Sequence, residues 1–456
     1  MKSIRCLVPL WLAAVTAVAA PRPHVLVVLT DDQGHGDVSL YGSTEVQTPR
    51  LDRLAAEGMR FTRMRSNCTV CSPTRAALLT GRYPDRVGVP GVIRTDPASS
   101  WGRLRPDVPT LPELLRQHGY HTALIGKWHL GLEAPDQPND RGFDFFHGFL
   151  GDMMDSYTRH LRHGKNYLRR DRTEITAEGH ATEVFADWAS AYLRERARTP
   201  EQPFFLYLAF NAPHFPIEPP AADLARVLAR APDAPEKRAR AIAFAEHLDS
   251  ALGRVLDTLT ETGLAPRTLV VFTADNGGSL PHAQSNHPWR DGKQSHYDGG
   301  LRVPFAARWP GHLPPGSSSD YAGLVFDIFP TVLEAAGVPL PADLDAVSLL
   351  PLFRGQTLPA ERELYFVRRE GGPAYGGGAY EALIRGDWKL LRNSPFQPYE
   401  LYHLGRDPGE TTDLSGRERP VFQSLARALQ RHIQRGGEAA WQPAFPRGQT
   451  PAPAVP

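Results

Sequence analysis

Two short runs of contiguous apolar residues, 24–30 (HVLVVLT) and 268–273 (TLVVFT), have the length and β-branched content of buried strands. The first stops abruptly at Asp31-Asp32; the second runs through Ala274 into Asp275-Asn276-Gly277-Gly278. Comparable runs at 121–125 and 204–210 (FFLYLAF) predict further strands, and residues 49–58 and the segment after Ser72 read as helical. The stretch 221–263 is rich in Ala, Leu, Glu and Arg, and Phe244, Leu248, Leu252 and Leu256 recur every four residues, marking one apolar helical face that belongs to the core. This alternation of helices and apolar strands predicts an α/β architecture. From about residue 345 the texture changes to short strands at 363–367, 380–385, 388–392 and 400–404, which predict a small antiparallel sheet, followed by a helix at 425–435 and a Pro-rich, mobile tail at 445–456. No internal repeat is visible.

Composition narrows the class without naming it. The chain has 456 residues, 41% hydrophobic and 22% charged, which fits a globular protein of two or three domains, or one large α/β domain with an appendage, and excludes wholesale disorder. Its 51 basic and 50 acidic residues leave a formal net charge of +1, so no global field recruits nucleic acid, and any anionic substrate must be held locally. Lys2 and Arg5 precede an apolar run over 6–20 that is too short to span a bilayer; with Ala17-Val18-Ala19 it reads as a signal peptide, 1–19, cleaved after Ala19. Cys6 lacks the small residues that precede a lipidated cysteine, and no later stretch predicts a membrane span, so the mature chain is expected to be exported and soluble. Only Cys68 and Cys71 remain after cleavage, too few for a disulfide framework. Their CxxC spacing leaves open a redox pair or half of a zinc site, although no second cysteine pair exists to complete the latter.

Acidic residues at strand C-termini lie where ligands bind in open α/β sheets, although an Asp pair there is also an ordinary loop or helix cap. Lys127 and His129, two residues apart at a strand end, point the same way and could converge on one anion, or could be solvated loop residues. Arg75, at the start of a helix, has an ordinary reading as a salt bridge.

Cys71-Ser72-Pro73-Thr74-Arg75, continuing to Thr80-Gly81-Arg82, resembles the sulfatase signature CxPxR followed by Thr-Gly. Gly126-Lys127-Trp128-His129-Leu130-Gly131, Ala212-Pro213-His214-Phe215-Pro216, Gly292-Lys293-Gln294 and Tyr297-Asp298-Gly299-Gly300 are similar to further segments of that family. The likeness extends through residues 327–331, 401–404 and 407–411, and its pattern lies nearest the arylsulfatase A and N-acetylgalactosamine-6-sulfatase group. The resemblance implies an alkaline-phosphatase-like α/β sandwich, a large mixed sheet flanked by helices in a catalytic domain over 20–345, with a smaller antiparallel sheet subdomain over 346–444.

The resemblance also implies the chemistry. A formylglycine-generating maturation enzyme oxidises Cys71, and the hydrated aldehyde is the nucleophile. Attack at sulfur surrounded by anionic oxygens requires both an activated oxygen and concentrated positive charge. Asp31, Asp32, Asp275 and Asn276, with residue 71, would hold calcium; three carboxylates and an amide suit calcium, or less well magnesium, better than zinc. Arg75 would neutralise charge and brace residue 71, Lys127 would sit beside it, and His129 would be the base for sulfate elimination. His214 and Lys293 would bind sulfate oxygens, one of them acting as general acid. The implied substrates are sulfated sugars or aryl sulfates, in a periplasmic, secreted or lysosomal setting.

Three departures stand out. Ala346 follows Asp345 where relatives commonly have Gly, and Arg290-Asp291 lies just before Gly292-Lys293, where it could alter the substrate rim. Cys68 is expected to be a buried free thiol, because a disulfide to Cys71 would block maturation. A phosphodiesterase or phosphonate monoester hydrolase of the same superfamily, and a non-catalytic protein that binds sulfated glycans, are the alternative readings. Loops around 150–170, 280–292 and 368–380 are expected to set specificity, 194–198 is read as an exposed helix face, and 371–378 as a flexible loop.

Overall fold

The computed structural model describes residues 22–96, 99–359, 361–370 and 378–439. The expected signal at 1–19, most of the loop at 371–378 and the tail at 445–456 lie outside the described residues.

Strand β1 (His24–Thr30) is buried along its whole length, and its side chains divide between two cores: Val25, Val27 and Leu29 enter one, Leu26 and Val28 the other. A strand covered on both faces has no polar side, which is why the sequence shows a continuous apolar run instead of an alternation. The other members of the large sheet are β2 (Met59–Phe61), β3 (His121–Lys127), β4 (Phe145–Phe149), β7 (Leu168–Arg170), β8 (Thr173–Glu174), β9 (Phe204–Ala209), β10 (Thr268–Ala274), β11 (Phe305–Arg308) and β12 (Ser317–Ser319). A separate hairpin pairs β5 (Leu161–Arg162) with β6 (Lys165–Asn166). The ten strands run in the order β12-β2-β11-β10-β1-β9-β3-β4-β7-β8. The central five, β10 to β4, are parallel, and β11 and β7 flank them antiparallel.

The helices Cys71–Thr80, Leu111–Gln117 and Ile328–Ala335 cover one face, and Pro49–Ala56, Ala181–Arg196 and Glu236–Glu261 cover the other. Phe244, Leu248, Leu252 and Leu256 all point into the second core. The stretch 221–263 forms two helices, Ala221–Arg230 and Glu236–Glu261, not one; Pro232 and Pro235 lie in the break, where proline removes a helical donor and clashes with the preceding turn.

The expected antiparallel sheet is present as β13 (Glu363–Glu370), β14 (Gly378–Arg385), β15 (Trp388–Arg392) and β16 (Glu400–His403), in that order. Its apolar face packs with Leu425, Ala428 and Leu429 of the helix Arg419–Gly436. The same core takes in Ala77, Tyr83, Leu301, Leu324 and Phe326, so it is continuous with the part of the chain that forms the large sheet.

Candidate active site

Register brings the candidate residues together. Thr30 pairs with Ala274 at the ends of β1 and β10, so Asp31-Asp32 emerges beside Asp275-Asn276 although 243 positions separate Asp32 from Asp275. The Asp275 N–H donates to the Thr30 carbonyl at 3.0 Å, and the Asp32 N–H donates to Asp275 Oδ1 at 3.1 Å. On the other side of β1, β9 ends at Ala209 and leads into the loop carrying His214, whose neighbour Ala212 accepts the Asp31 N–H at 3.1 Å. Next to β9, β3 ends at Lys127, with His129 two residues beyond at φ +61°. Gly126 has φ +103°, and a Cβ there would stand 2.0 Å from the Ala209 carbonyl oxygen, so the close β3–β9 approach requires glycine. Four neighbouring strand ends thus supply seven of the candidates, and Cys71 and Arg75 come from the first turn and a half of the helix Cys71–Thr80, one turn apart on the same face. Lys293 arrives on the loop before Tyr297, and its N–H is anchored to the Gly278 carbonyl at 3.0 Å.

The ten side chains interlock. Cys71 Sγ lies 3.3 Å from Asp31 Oδ1 and 3.9 Å from Asp32 Oδ1. Arg75 donates from Nη2 to Asp275 Oδ2 at 2.7 Å and from Nη1 to the Lys127 carbonyl at 3.3 Å. The Lys127 ammonium donates to Asp31 Oδ2, and Lys293 Nζ donates to Asp32 Oδ2 at 2.7 Å while lying 3.8 Å from Cys71 Sγ. Asn276 Nδ2 donates to Asp32 Oδ1 at 2.8 Å. All ten are buried except Lys293, which is half-buried.

Electrostatics follow from that burial. Burial alone would raise the Asp31 carboxyl, but the charges of Lys127, Arg75 and Lys293 hold it well below the usual carboxylate range. Asp275 moves the opposite way: burial and then the Asp31 charge push it up against Arg75, as expected when like charges share one site. Burial, reinforced by Asp31, drives the Cys71 thiol well above its ordinary value, so the encoded cysteine is a poor thiolate nucleophile. Burial keeps His129 and His214 neutral, His214 with a value lowered to about 4.

Two buried polar groups test whether the site suits a cation and an oxygen nucleophile. Asn276 Oδ1 has no hydrogen-bond partner among the described residues, and neither ring nitrogen of His129 has one. The ligand atoms of Asp31, Asp32, Cys71 and His214 lie within 4.8 Å of one another, with Asp275 and Asn276 alongside. His214 Nε2 faces Lys293 Nζ at 3.1 Å and its Nδ1 faces the Phe215 carbonyl at 2.7 Å, so its nitrogens are already engaged. What remains is a hard, anionic oxygen set with one uncommitted amide oxygen, which fits calcium or magnesium.

Sequence reasoning missed the anchor behind Lys293. Asp298, read as part of a turn, is a buried ionic hub that meets Arg65 at 2.6 Å, Arg302 at 2.9 Å and Lys389 of β15 at 2.9 Å. Glu410, from the late segment 407–411, accepts the Asp298 N–H at 2.6 Å and pairs with Lys389 at 2.7 Å. Asp298 lies within the YxGG segment and Glu410 within 407–411, but neither segment signals on its own that the two meet around buried cations. Cys68 is a buried free thiol, as expected.

Comparison with known proteins places this geometry among relatives. The family model Sulfatase matches residues 23–338, and the model N-sulphoglucosamine sulphohydrolase, C-terminal, matches 285–438. The chain is similar to N-acetylgalactosamine-6-sulfatase of Canis lupus familiaris, 33% identical over 94% of this chain and 89% of that protein. It is also similar to arylsulfatase A of Homo sapiens, 32% identical over 98% of this chain and 97% of that protein. A solved structure of Ps i-CgsB in complex with k-i-k-neocarrahexaose superposes with a TM-score of 0.84 at 28% identity, covering 92% of this chain and 94% of that one.

Proposed function

This chain belongs to the sulfatase family of sulfuric ester hydrolases, and on that premise we propose that it removes sulfate from a sulfated carbohydrate, using a nucleophile made from Cys71 and a bound calcium ion. The observation that carries the reading is the enclosure of Cys71 Sγ, 3.3 Å from Asp31 and 3.8 Å from Lys293, by carboxylates and cations drawn from strand ends and from the loop that carries Lys293. A sugar substrate is supported by the relative named for N-acetylgalactosamine 6-sulfate chemistry and by the neighbour bound to neocarrahexaose. Conversion of Cys71 by a maturation enzyme, export through residues 1–19, and the division into a catalytic domain at 20–345 and a subdomain at 346–444 belong to the same proposal. No described helix is long and apolar enough to cross a membrane.

Formylglycine at position 71 would supply a hydrated aldehyde oxygen as nucleophile, and a hard cation held by Asp31, Asp32, Asp275 and Asn276 would supply Lewis acidity toward the sulfate. The protein's own groups do the rest. Arg75 and Lys127 hold the Asp275 and Asp31 carboxylates in place and balance their charge. The neutral His129 ring, with both nitrogens uncommitted among the described residues, would serve as the base toward a hydroxyl at position 71. Lys293 and His214 orient the sulfate oxygens, and the Lys293 ammonium delivers a proton to the departing alcohol.

The test is mass spectrometry across residue 71 on protein from its native host, with aryl sulfate release assayed with and without calcium. An aldehyde at 71 together with calcium-dependent release supports the reading. An active protein with unmodified cysteine overturns it in favour of phosphorus-ester hydrolysis.

A further inference from the structure

Beside the active site, on the same edge of the sheet, lies a groove that the reaction does not use. A cavity of about 750 Å³ is lined by His35, Tyr41, Arg60, Arg63, Trp289 and Arg302, and a second hollow of about 600 Å³ shares His35, Tyr41, Gly42 and Pro288 with it. Two observations fix its position. The Tyr41 hydroxyl donates to the Phe61 carbonyl at 2.7 Å and accepts the Phe305 N–H at 3.0 Å, which are the ends of β2 and β11 at the edge where β1 and β10 deliver their carboxylates. His35 is only three residues beyond Asp32, so the wall of the groove begins within about 11 Å of that residue. The loop that closes the groove, with His287, Pro288 and Trp289, is the one that carries Lys293 into the active site.

The lining combines rings with guanidinium groups. The His35 ring stacks on Tyr41 at 4.0 Å and meets Trp289 edge-on at 5.8 Å, and the Arg302 guanidinium lies 4.3 Å over the Trp289 ring. Two carboxylates also line the cavity, and both are committed. Asp387 pairs with Arg63 at 3.2 Å, and Asp298 is shared by Arg65, Arg302 and Lys389. Glu45, at the far hollow, is held by Arg238 at 2.9 Å. Arg60, exposed on β2, reaches the Leu40 carbonyl at 3.4 Å and forms no ion pair among the described residues. The larger cavity is thus lined by three arginines against two carboxylates, with Arg60 left outside any ion pair among the described residues. Ring faces pack against the C–H faces of sugars, and a guanidinium fork matches the oxygens of a sulfate or carboxylate.

We propose that this groove is an accessory subsite that binds an anionic sugar unit of the same chain whose sulfate is being cleaved, so that the enzyme prefers oligomeric sulfated saccharides to single sugars. The inference rests on the sulfatase reading and adds the length of the substrate to it.

The test measures calorimetric binding of chondroitin 6-sulfate and carrageenan hexasaccharides and disaccharides to the Cys71→Ala protein, with and without Arg60→Glu or Trp289→Ala. At least one hexasaccharide is expected to bind at least tenfold tighter than its disaccharide, and Arg60→Glu to remove at least fivefold of that difference while leaving disaccharide affinity within twofold. Trp289→Ala, accepted only if its thermal midpoint matches the parent, is expected to act in the same direction. Equal affinity for the two lengths, or a length preference that survives both variants, overturns the subsite. Aryl sulfate turnover by matured wild-type enzyme, run in parallel, tests the sulfatase reading alone: turnover without a length preference rejects only the subsite, and absence of turnover from protein carrying the aldehyde rejects the reading beneath it.

Discussion

Lys293 Nζ lies 3.1 Å from His214 Nε2 while His214 Nδ1 faces the Phe215 carbonyl at 2.7 Å, so the neutral imidazole donates through Nδ1 and accepts the lysine proton through Nε2. Burial alone would lower the lysine, but the carboxylates of Asp32 and Asp31 hold its ammonium charged. On the proposed reading, Lys293 is the acid and His214 its aligning partner. Lys293→Ala is therefore expected to cut kcat by about 10²–10⁴-fold on a sulfate ester of an ordinary sugar alcohol, and by much less on a nitrophenyl sulfate, whose leaving group needs no proton. Equal losses on both substrates would remove the acid role.

The unpartnered Asn276 Oδ1 should bind the cation. Calcium at a hundredfold excess over its dissociation constant should stabilise the wild-type protein by about 2.7 kcal/mol, read as a rise in thermal midpoint. Asn276→Ala and Asp31→Asn should shrink that rise and weaken calcium activation together. An undiminished calcium response in both variants would place the ion elsewhere.

Cys68 is fully buried, and burial pushes its thiol up to about 12. It should therefore resist alkylation in the native protein and react only on unfolding. Cys68→Ala is expected to keep wild-type turnover; its loss, with aldehyde still formed at position 71, would give Cys68 a role in the reaction.

Asp298 is shared by three buried cations, one of which Glu410 also meets. Asp298→Asn leaves them underpaired and is expected to cost about 3–5 kcal/mol in urea unfolding. The same change frees the loop that carries Lys293, so kcat should fall even at temperatures where the variant is fully folded. A variant of wild-type stability would show the hub to be replaceable.

Burial raises the Asp85 carboxyl from an ordinary 3.8 to about 6, against the opposing effects of its Tyr365 hydrogen bond and Arg369. The folded state then holds a proton that the unfolded chain releases. The associated stability is complete below pH 3.8 and is lost as pH rises through about 6, by about 1.4 kcal/mol for each pH unit between them. Asp85→Asn should remove this slope, so the difference in unfolding free energy between variant and wild type should move in the variant's favour from pH 4 to pH 6.5. A difference independent of pH would show that Asp85 is ionised throughout.

That the candidate residues would converge could be read from the chain in large part, because they sit where local pattern and chemistry coincide. Asp31-Asp32 and Asp275-Asn276 each end an apolar run, and parallel pairing of β1 with β10 is all that is needed to place them side by side. Cys71 and Arg75 lie one turn apart on one helix, a separation fixed by the helix itself. The ionic hub at Asp298 was invisible for the opposite reason: apart from Arg302, four residues on, its partners at 65, 389 and 410 are joined only by the tertiary fold. The accessory groove shares that property, since Tyr41, Arg60 and Trp289 come from three unrelated segments. The break at 231–235 was legible in its two prolines, but was outweighed by the helical composition on either side.

The side chain at position 71 is only 2% exposed, and Lys293, 222 residues further along the chain, lies 3.8 Å from its sulfur. On a ribosome, Cys71 emerges long before Lys293 exists to close over it. If the cysteine is to be altered by another enzyme, that encounter must take place on a nascent or unfolded chain, and a finished molecule that missed it has no later opportunity. Folding speed and modification speed are thus in competition, and a population of this protein can contain well-folded copies that are permanently inert.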